Sequence, residues 1–138
     1  MAISSDTSPE GRAAEAELLR WPLWVFRGTA TLAAIMLFDQ SVFAGQFLSG
    51  TYDALLVHRE NATFAGISVV VSSIGAVLLR WPGRGPWWPI AACFGLFGLI
   101  ALQIIIGFAR ILALHLPLGV LIILLATGLA VWAWRTGR

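Results

Sequence analysis

The 138-residue chain has no lysine, only two histidines, one cysteine and one tyrosine, and just 12% of it is charged. A single cysteine, Cys93, rules out an intramolecular disulfide, and its place in the middle of an apolar stretch suits a small core residue better than a reactive thiol. Two histidines and one distant cysteine are too few for a zinc site, which takes three or four protein ligands. The net charge is +2 and the nine bases, all arginine, are scattered at the ends of apolar segments. That excludes the clustered basic face of a nucleic-acid binder. The arginine-only usage is a coding bias of GC-rich genomes, and the chain reads as bacterial. Residues 1–20 carry Asp6, Glu10, Glu15 and Glu17 and lack the basic start of a signal peptide. They are expected to form a polar cytoplasmic tail, with Ser8 to Leu19 either a short amphipathic helix or disordered.

What is abundant is apolar surface: 59% of the residues and a mean hydropathy of +0.85, above the roughly 45–50% of a soluble domain. Four segments, about Pro22–Leu48, Leu55–Leu79, Trp87–Gly107 and Leu112–Trp134, are long enough to span a bilayer, which takes about 20 helical residues. None alternates as a barrel strand does, so each is read as a helix. Trp81-Pro-Gly-Arg-Gly-Pro86 is a turn, and Gly50 and Gly107 suit helix C-caps. The expected fold is an all-α membrane protein, a four transmembrane helix bundle. Arg12, Arg20, Arg27, Arg80, Arg84, Arg135 and Arg138 gather at one end, with only Arg59 and Arg110 at the other. All seven tryptophans lie at the arginine-rich end. The positive-inside rule then predicts a bacterial inner-membrane protein with both termini cytoplasmic.

The chain also repeats itself. Gln46-x3-Gly50-x7-His58 recurs as Gln103-x3-Gly107-x7-His115, and the same offset of 57 pairs Trp24 with Trp81, Arg27 with Arg84, Gly28 with Gly85, Ala34 with Ala91, Ala44 with Ala101 and Leu55 with Leu112. The expectation is two tandem helical hairpins, about 21–80 and 81–138, related by a pseudo-twofold axis along the membrane normal. Both histidines would then lie at equal depth near the outer face, on spans 2 and 4.

Ionisable groups within spans are functional candidates by default. Two symmetry-related imidazoles suit bis-histidine ligation of one haem b, because the macrocycle supplies the other four nitrogens. His58 and His115 are the expected iron ligands. Small residues beside them, Ala62, Ala65, Gly66 and Gly119, would admit a flat macrocycle. Arg59 and Arg110 would either pair with haem propionates or anchor helix ends in headgroups. Gln46 and Gln103 would either hydrogen-bond to the ligands and tune the iron or simply link helices. Asp39-Gln40 is a second polar notch, suited to a quinone, to protons or to a local helix–helix hydrogen bond.

The segments Leu102-Gln-Ile-Ile-Ile-Gly107 to His115-Leu-Pro-Leu-Gly119, and Asp53-Ala-Leu-Leu-Val-His58-Arg59, resemble the haem A synthase superfamily over roughly residues 24 to 134. The chain is similar to one four-helix unit, half of such an enzyme. The resemblance implies that His58 and His115 are axial haem ligands. It departs at the acidic residue: Asp53 lies five residues before His58, where the family motif has four. Three functions remain in view. The first is a b-type cytochrome for electron transfer, passing electrons to or from a quinol or an extracytoplasmic redox protein. The second is a haem-modifying oxidoreductase, which would need a homodimer to supply two units. The third is a cofactor-free accessory subunit of a larger membrane complex.

Overall fold

The computed structural model describes residues 20–136. The polar tail expected for residues 1–20 falls, but for Arg20, outside the described residues, as do Arg12, Arg138 and the proposed helix from Ser8 to Leu19. Four helices follow one another: α1 (Trp21–Leu48), α2 (Ala54–Arg80), α3 (Trp88–Phe108) and α4 (Leu112–Arg135). Each is long and apolar enough to cross a membrane, and the chain has the architecture of a multi-pass membrane protein. α1 and α3 each open with a Trp-Pro pair, where proline's missing N–H and fixed φ suit the first helical turn.

The helices pack as a ring in the order α1, α2, α3, α4, and α4 closes back onto α1. α1 and α3 face each other across the bundle, as do α2 and α4. Narrow stripes point inward: Phe26, Ala30, Ala33 and Leu37 on α1, Ala65, Val69, Ser72 and Ala76 on α2, Cys93, Leu96 and Ile100 on α3, and Ile122, Ala126, Leu129 and Ala133 on α4. In lipid there is little hydrophobic drive between helices, so close approach through small residues and interhelical hydrogen bonds carries the association. Large apolar side chains such as Phe38, Phe64, Phe94 and Leu124 face outward, as lipid contact requires. At the bundle centre, between Ala33, Ser72, Cys93 and Ala126, a cavity of about 10 Å³ remains, room for at most one water.

The two hairpins repeat, but with two different registers. Along α2 and α4 the buried positions match at an offset of 57: Ala65 with Ile122, Val69 with Ala126, Ser72 with Leu129, Ala76 with Ala133. Along α1 and α3 they match at 63: Ala30 with Cys93, Ala33 with Leu96, Leu37 with Ile100. The cause is unequal hairpins. α1 has 28 residues and α3 has 21, and the turns within the two hairpins are residues 49–53 and 109–111. Consequently Trp81, Arg84 and Gly85 are not the partners of Trp24, Arg27 and Gly28. Trp81 ends α2, and Arg84 and Gly85 lie in the turn before α3.

Arg27 shows the difference most clearly. It is buried in α1, where its guanidinium donates to the carbonyls of Ala133 at 3.0 Å and Thr136 at 2.6 Å. These are the unpaired carbonyls that end α4. Trp24 and Trp134 flank the same guanidinium at 4.5 and 5.3 Å, and Trp134 Nε1 donates to Thr31. α1 and α4 are thus clamped at the tryptophan end of the bundle.

Candidate functional site

His58 sits one turn into α2 and His115 in the first turn of α4, both half-buried at the end of the bundle opposite the tryptophans. α2 and α4 are diagonal neighbours, so the two rings meet across the bundle axis. Their centroids are 6.3 Å apart and the planes make 63°. Nδ1 of His58 lies 3.1 Å from the main-chain carbonyl of Gln40 on α1. Nδ1 of His115 lies 3.0 Å from the carbonyl of Gln103 on α3. A carbonyl only accepts, so in both rings Nδ1 carries the proton and donates. In a neutral imidazole that leaves the lone pair on Nε2.

The second hairpin is built around this contact. A Cβ added at Gly107 would meet His115 Cε1 at 2.9 Å and Nδ1 at 3.1 Å, and one added at Gly119 would meet Gln103 Nε2 at 2.9 Å. The glycines let the ring press against α3 and the glutamine amide press against α4. There Gln103 Nε2 donates to the His115 carbonyl at 2.7 Å. Gly119, expected to admit a macrocycle, is therefore filled by Gln103. Gly66 does have open space around it, whereas Ala65 is sealed in the core. Gly107 is a packing glycine inside α3. The C-cap of α3 is Ala109, and the left-handed residue after it is Arg110, with φ +60°, which closes the turn by Arg110 N–H to Gly107 and Ile111 N–H to Ile106. In the first hairpin Gly50, with φ +98°, takes the corresponding left-handed position after the C-cap Ser49.

The first hairpin reaches the same ring contact with different residues. Gln40, not Gln46, supplies the carbonyl for His58. Gln46 is exposed, six residues and about 9 Å further along α1, turned to another face. Asn61 Nδ2 also donates to the Met36 carbonyl at 3.0 Å and ties α2 to α1 one turn below His58. In the α2–α4 register Ala62 stands where Gly119 does. There Gln40 makes no bond like that of the Gln103 amide, and Gln40 Nε2 is left buried without a partner. Gln103 Oε1 is likewise buried and unpaired. The site therefore offers one free donor on α1 and one free acceptor on α3, beside two imidazoles with available Nε2 atoms.

Arg59 follows His58 and is exposed, its guanidinium 5.4 Å from the Phe108 ring at the end of α3. Arg110 is exposed at the turn into α4. Both lie at the histidine end, without contact to either imidazole among the described hydrogen bonds. Asp53 is exposed at the start of α2 and makes no capping hydrogen bond, whereas Asp39 is half-buried beside Gln40. Among the described residues no group of three or more His, Cys, Asp or Glu side chains is placed to hold a metal ion. Gln40, read from the sequence as part of a second polar notch with Asp39, makes a helix–helix hydrogen bond through its carbonyl, and its partner is His58. That partner was not legible; the inward stripe of α1, which continues from Ala33 and Leu37 to position 40, was its signal.

No family model matches the chain, and no curated protein or solved structure is similar to it.

Proposed function

We propose that the chain is a membrane b-type cytochrome, with one haem held between His58 and His115. The observation that carries this reading is the pair of Nδ1–H to carbonyl hydrogen bonds. A metal-ligating histidine almost always donates its other ring proton to such a partner, which fixes the tautomer and raises ligand basicity. Here both histidines of the chain are fixed in that way.

The spacing supports it. With metal–imidazole bonds of about 2 Å on each side, and half a ring width added at each end, rings flanking one metal have centroids about 6 Å apart. The observed value is 6.3 Å. Among the described residues no third His, Cys, Asp or Glu joins the pair, which suits a metal that arrives with nitrogen ligands of its own. Gln40 Nε2 would then donate to a polar edge of the haem, Gln103 Oε1 would accept from a water, and Arg59 and Arg110 would neutralise the propionates. A haem held by His58 and His115 would supply one-electron transfer chemistry. The protein's part is to hold both imidazoles in one tautomer, so that little rearranges when the charge changes. Asp53, exposed at the start of α2 and without a capping bond, favours an electron carrier over a haem-modifying enzyme. A quinol or an extracytoplasmic redox protein is the expected partner, and the histidine end faces the outside of a bacterial inner membrane.

The test is the absorption spectrum of detergent-purified protein, oxidised and then dithionite-reduced. The expected result is a sharp low-spin b-type spectrum that is lost in both His58→Ala and His115→Ala. A colourless protein after expression with added haem, or a variant that keeps full haem content, overturns the reading.

A further inference from the structure

At the opposite end of the molecule, and independent of any haem, the seam between α1 and α4 opens into a groove of about 510 Å³ on the outer surface of the bundle. Its floor includes Ala34, Ala130 and Thr127, Phe38 and Val131 form its walls, and Trp134 and Arg135 close its lower end. From Thr31 to Phe38 the groove follows α1 for seven residues, about 10 Å of helix. It faces the bilayer, so an acyl chain lies against it in the membrane. The question is whether the groove selects what fills it.

The charge distribution says that it does. Arg20, Arg27, Arg80, Arg84 and Arg135 lie at this end, while the described acidic residues, Asp39, Asp53 and Glu60, all lie in the other half. Arg27 is committed to the end of α4. Arg135 is exposed in the last turn of α4, at the mouth of the groove. A tryptophan beside an arginine at this depth is the usual headgroup-level pairing, and basic pockets between transmembrane helices bind anionic lipid headgroups.

We propose that the α1–α4 groove is a site for an anionic phospholipid, with one acyl chain along Ala34 and Ala130 and the phosphodiester at Arg135. A zwitterionic lipid fits the same apolar groove but gains less from Arg135, because its own cation offsets the phosphate.

The experiment is native mass spectrometry of the full chain in detergent, titrated with phosphatidylglycerol or with phosphatidylcholine of the same acyl chains. The expected result is one retained phosphatidylglycerol, in clear preference to phosphatidylcholine. Arg135→Gln lowers that preference about fivefold, the size of one cation at a membrane surface. Arg84→Gln leaves it unchanged, because the α2–α3 turn lies across the ring from the α1–α4 seam. Ala34→Leu and Thr127→Leu fill the groove and release the lipid, with circular dichroism checking the fold. Equal retention of the two lipids overturns the proposal. So does an equal loss in Arg84→Gln and Arg135→Gln, which signals a diffuse arginine belt. A lipid-free dimer in place of the lipid-bound monomer overturns it as well. If the filled variants do not fold, the contrast between Arg135→Gln and Arg84→Gln decides alone.

Discussion

Replacing Gly107 by alanine places a methyl 2.9 Å from Cε1 and 3.1 Å from Nδ1 of His115. Real Cβ atoms essentially never approach a ring carbon that closely, so one of the two must move. Gly107 is inside α3 and its main chain is held by the helix, so the imidazole moves. It swings away from α3 and lengthens the 3.0 Å hydrogen bond to the Gln103 carbonyl. Two effects follow. Overpacking of a tight contact costs about 1–3 kcal/mol, and loss of a metal-ligand's hydrogen-bond partner lowers metal affinity about 10- to 100-fold. Gly98→Ala is the control. It lies on α3 like Gly107, exposed, with open space where the methyl goes, and the change from glycine to alanine favours a helix by up to about 1 kcal/mol. The assay is haem titration of the apoprotein, followed by thermal unfolding of each variant in the same detergent. Gly107→Ala is expected to bind haem at least tenfold more weakly and to melt lower, and Gly98→Ala to bind normally. If Gly107→Ala binds haem like the wild type and gains stability as Gly98→Ala does, the contact does not position the ligand, and the argument from Nδ1 fails.

Arg27→Gln removes a buried guanidinium that serves two carbonyls and two indoles. Hydrogen bonds to a charged group contribute about 1.5–3 kcal/mol each, so a loss of several kcal/mol is expected, read as early thermal unfolding with the haem spectrum of the folded fraction unchanged. Arg110→Gly relieves a left-handed backbone that glycine adopts freely. It is expected to raise stability by about 1 kcal/mol, and to lower haem affinity only if the guanidinium meets a propionate, which titration distinguishes. Gln46→Ala is expected to leave haem binding unchanged. Gln103→Ala, which loses the 2.7 Å bond to the His115 carbonyl, is expected to weaken it, and the reverse order in titration would restore Gln46 to the site.

The four helices were legible because lipid demands long apolar runs, and the turn at residues 81–87 because proline and glycine interrupt them. The histidine pair was legible because the chain has no others. The register of the first hairpin was not. Gln46 and Gln103 both precede a histidine by twelve residues, yet the intervening turns differ. Residues 49–53 need five positions where residues 109–111 need three, and α1 runs seven residues longer than α3. Six residues of shift is about one and two-thirds turns of helix, enough to carry Gln46 from the histidine face to the outer face and bring Gln40 in its place. Along α1 the offset of 63 preserves two identities, Trp24 with Trp87 and Gln40 with Gln103, but it competes with six at 57. Only the burial stripes, which the structure supplies, decide between them.

The asymmetry also explains which residues a symmetric site can leave free. What each histidine needs is an acceptor for Nδ1, and in both hairpins that acceptor is a main-chain carbonyl. A carbonyl is present at every position, so the need leaves no side-chain signature on the residue that meets it. The signature falls instead on the surroundings. In the second hairpin glycines at 107 and 119 draw α3 and α4 together, and the Gln103 side chain is consumed as a strut. In the first, Ala44 and Ala62 occupy the matching places, Asn61 is the strut, and the Gln40 amide is spared. Two equivalent histidines are thus set in two unequal walls, one with a free donor on α1 and one with a free acceptor on α3. An unpaired buried donor carries a desolvation penalty of about 1–3 kcal/mol. The first hairpin bears that penalty beside His58, where a polar edge of a bound group would relieve it.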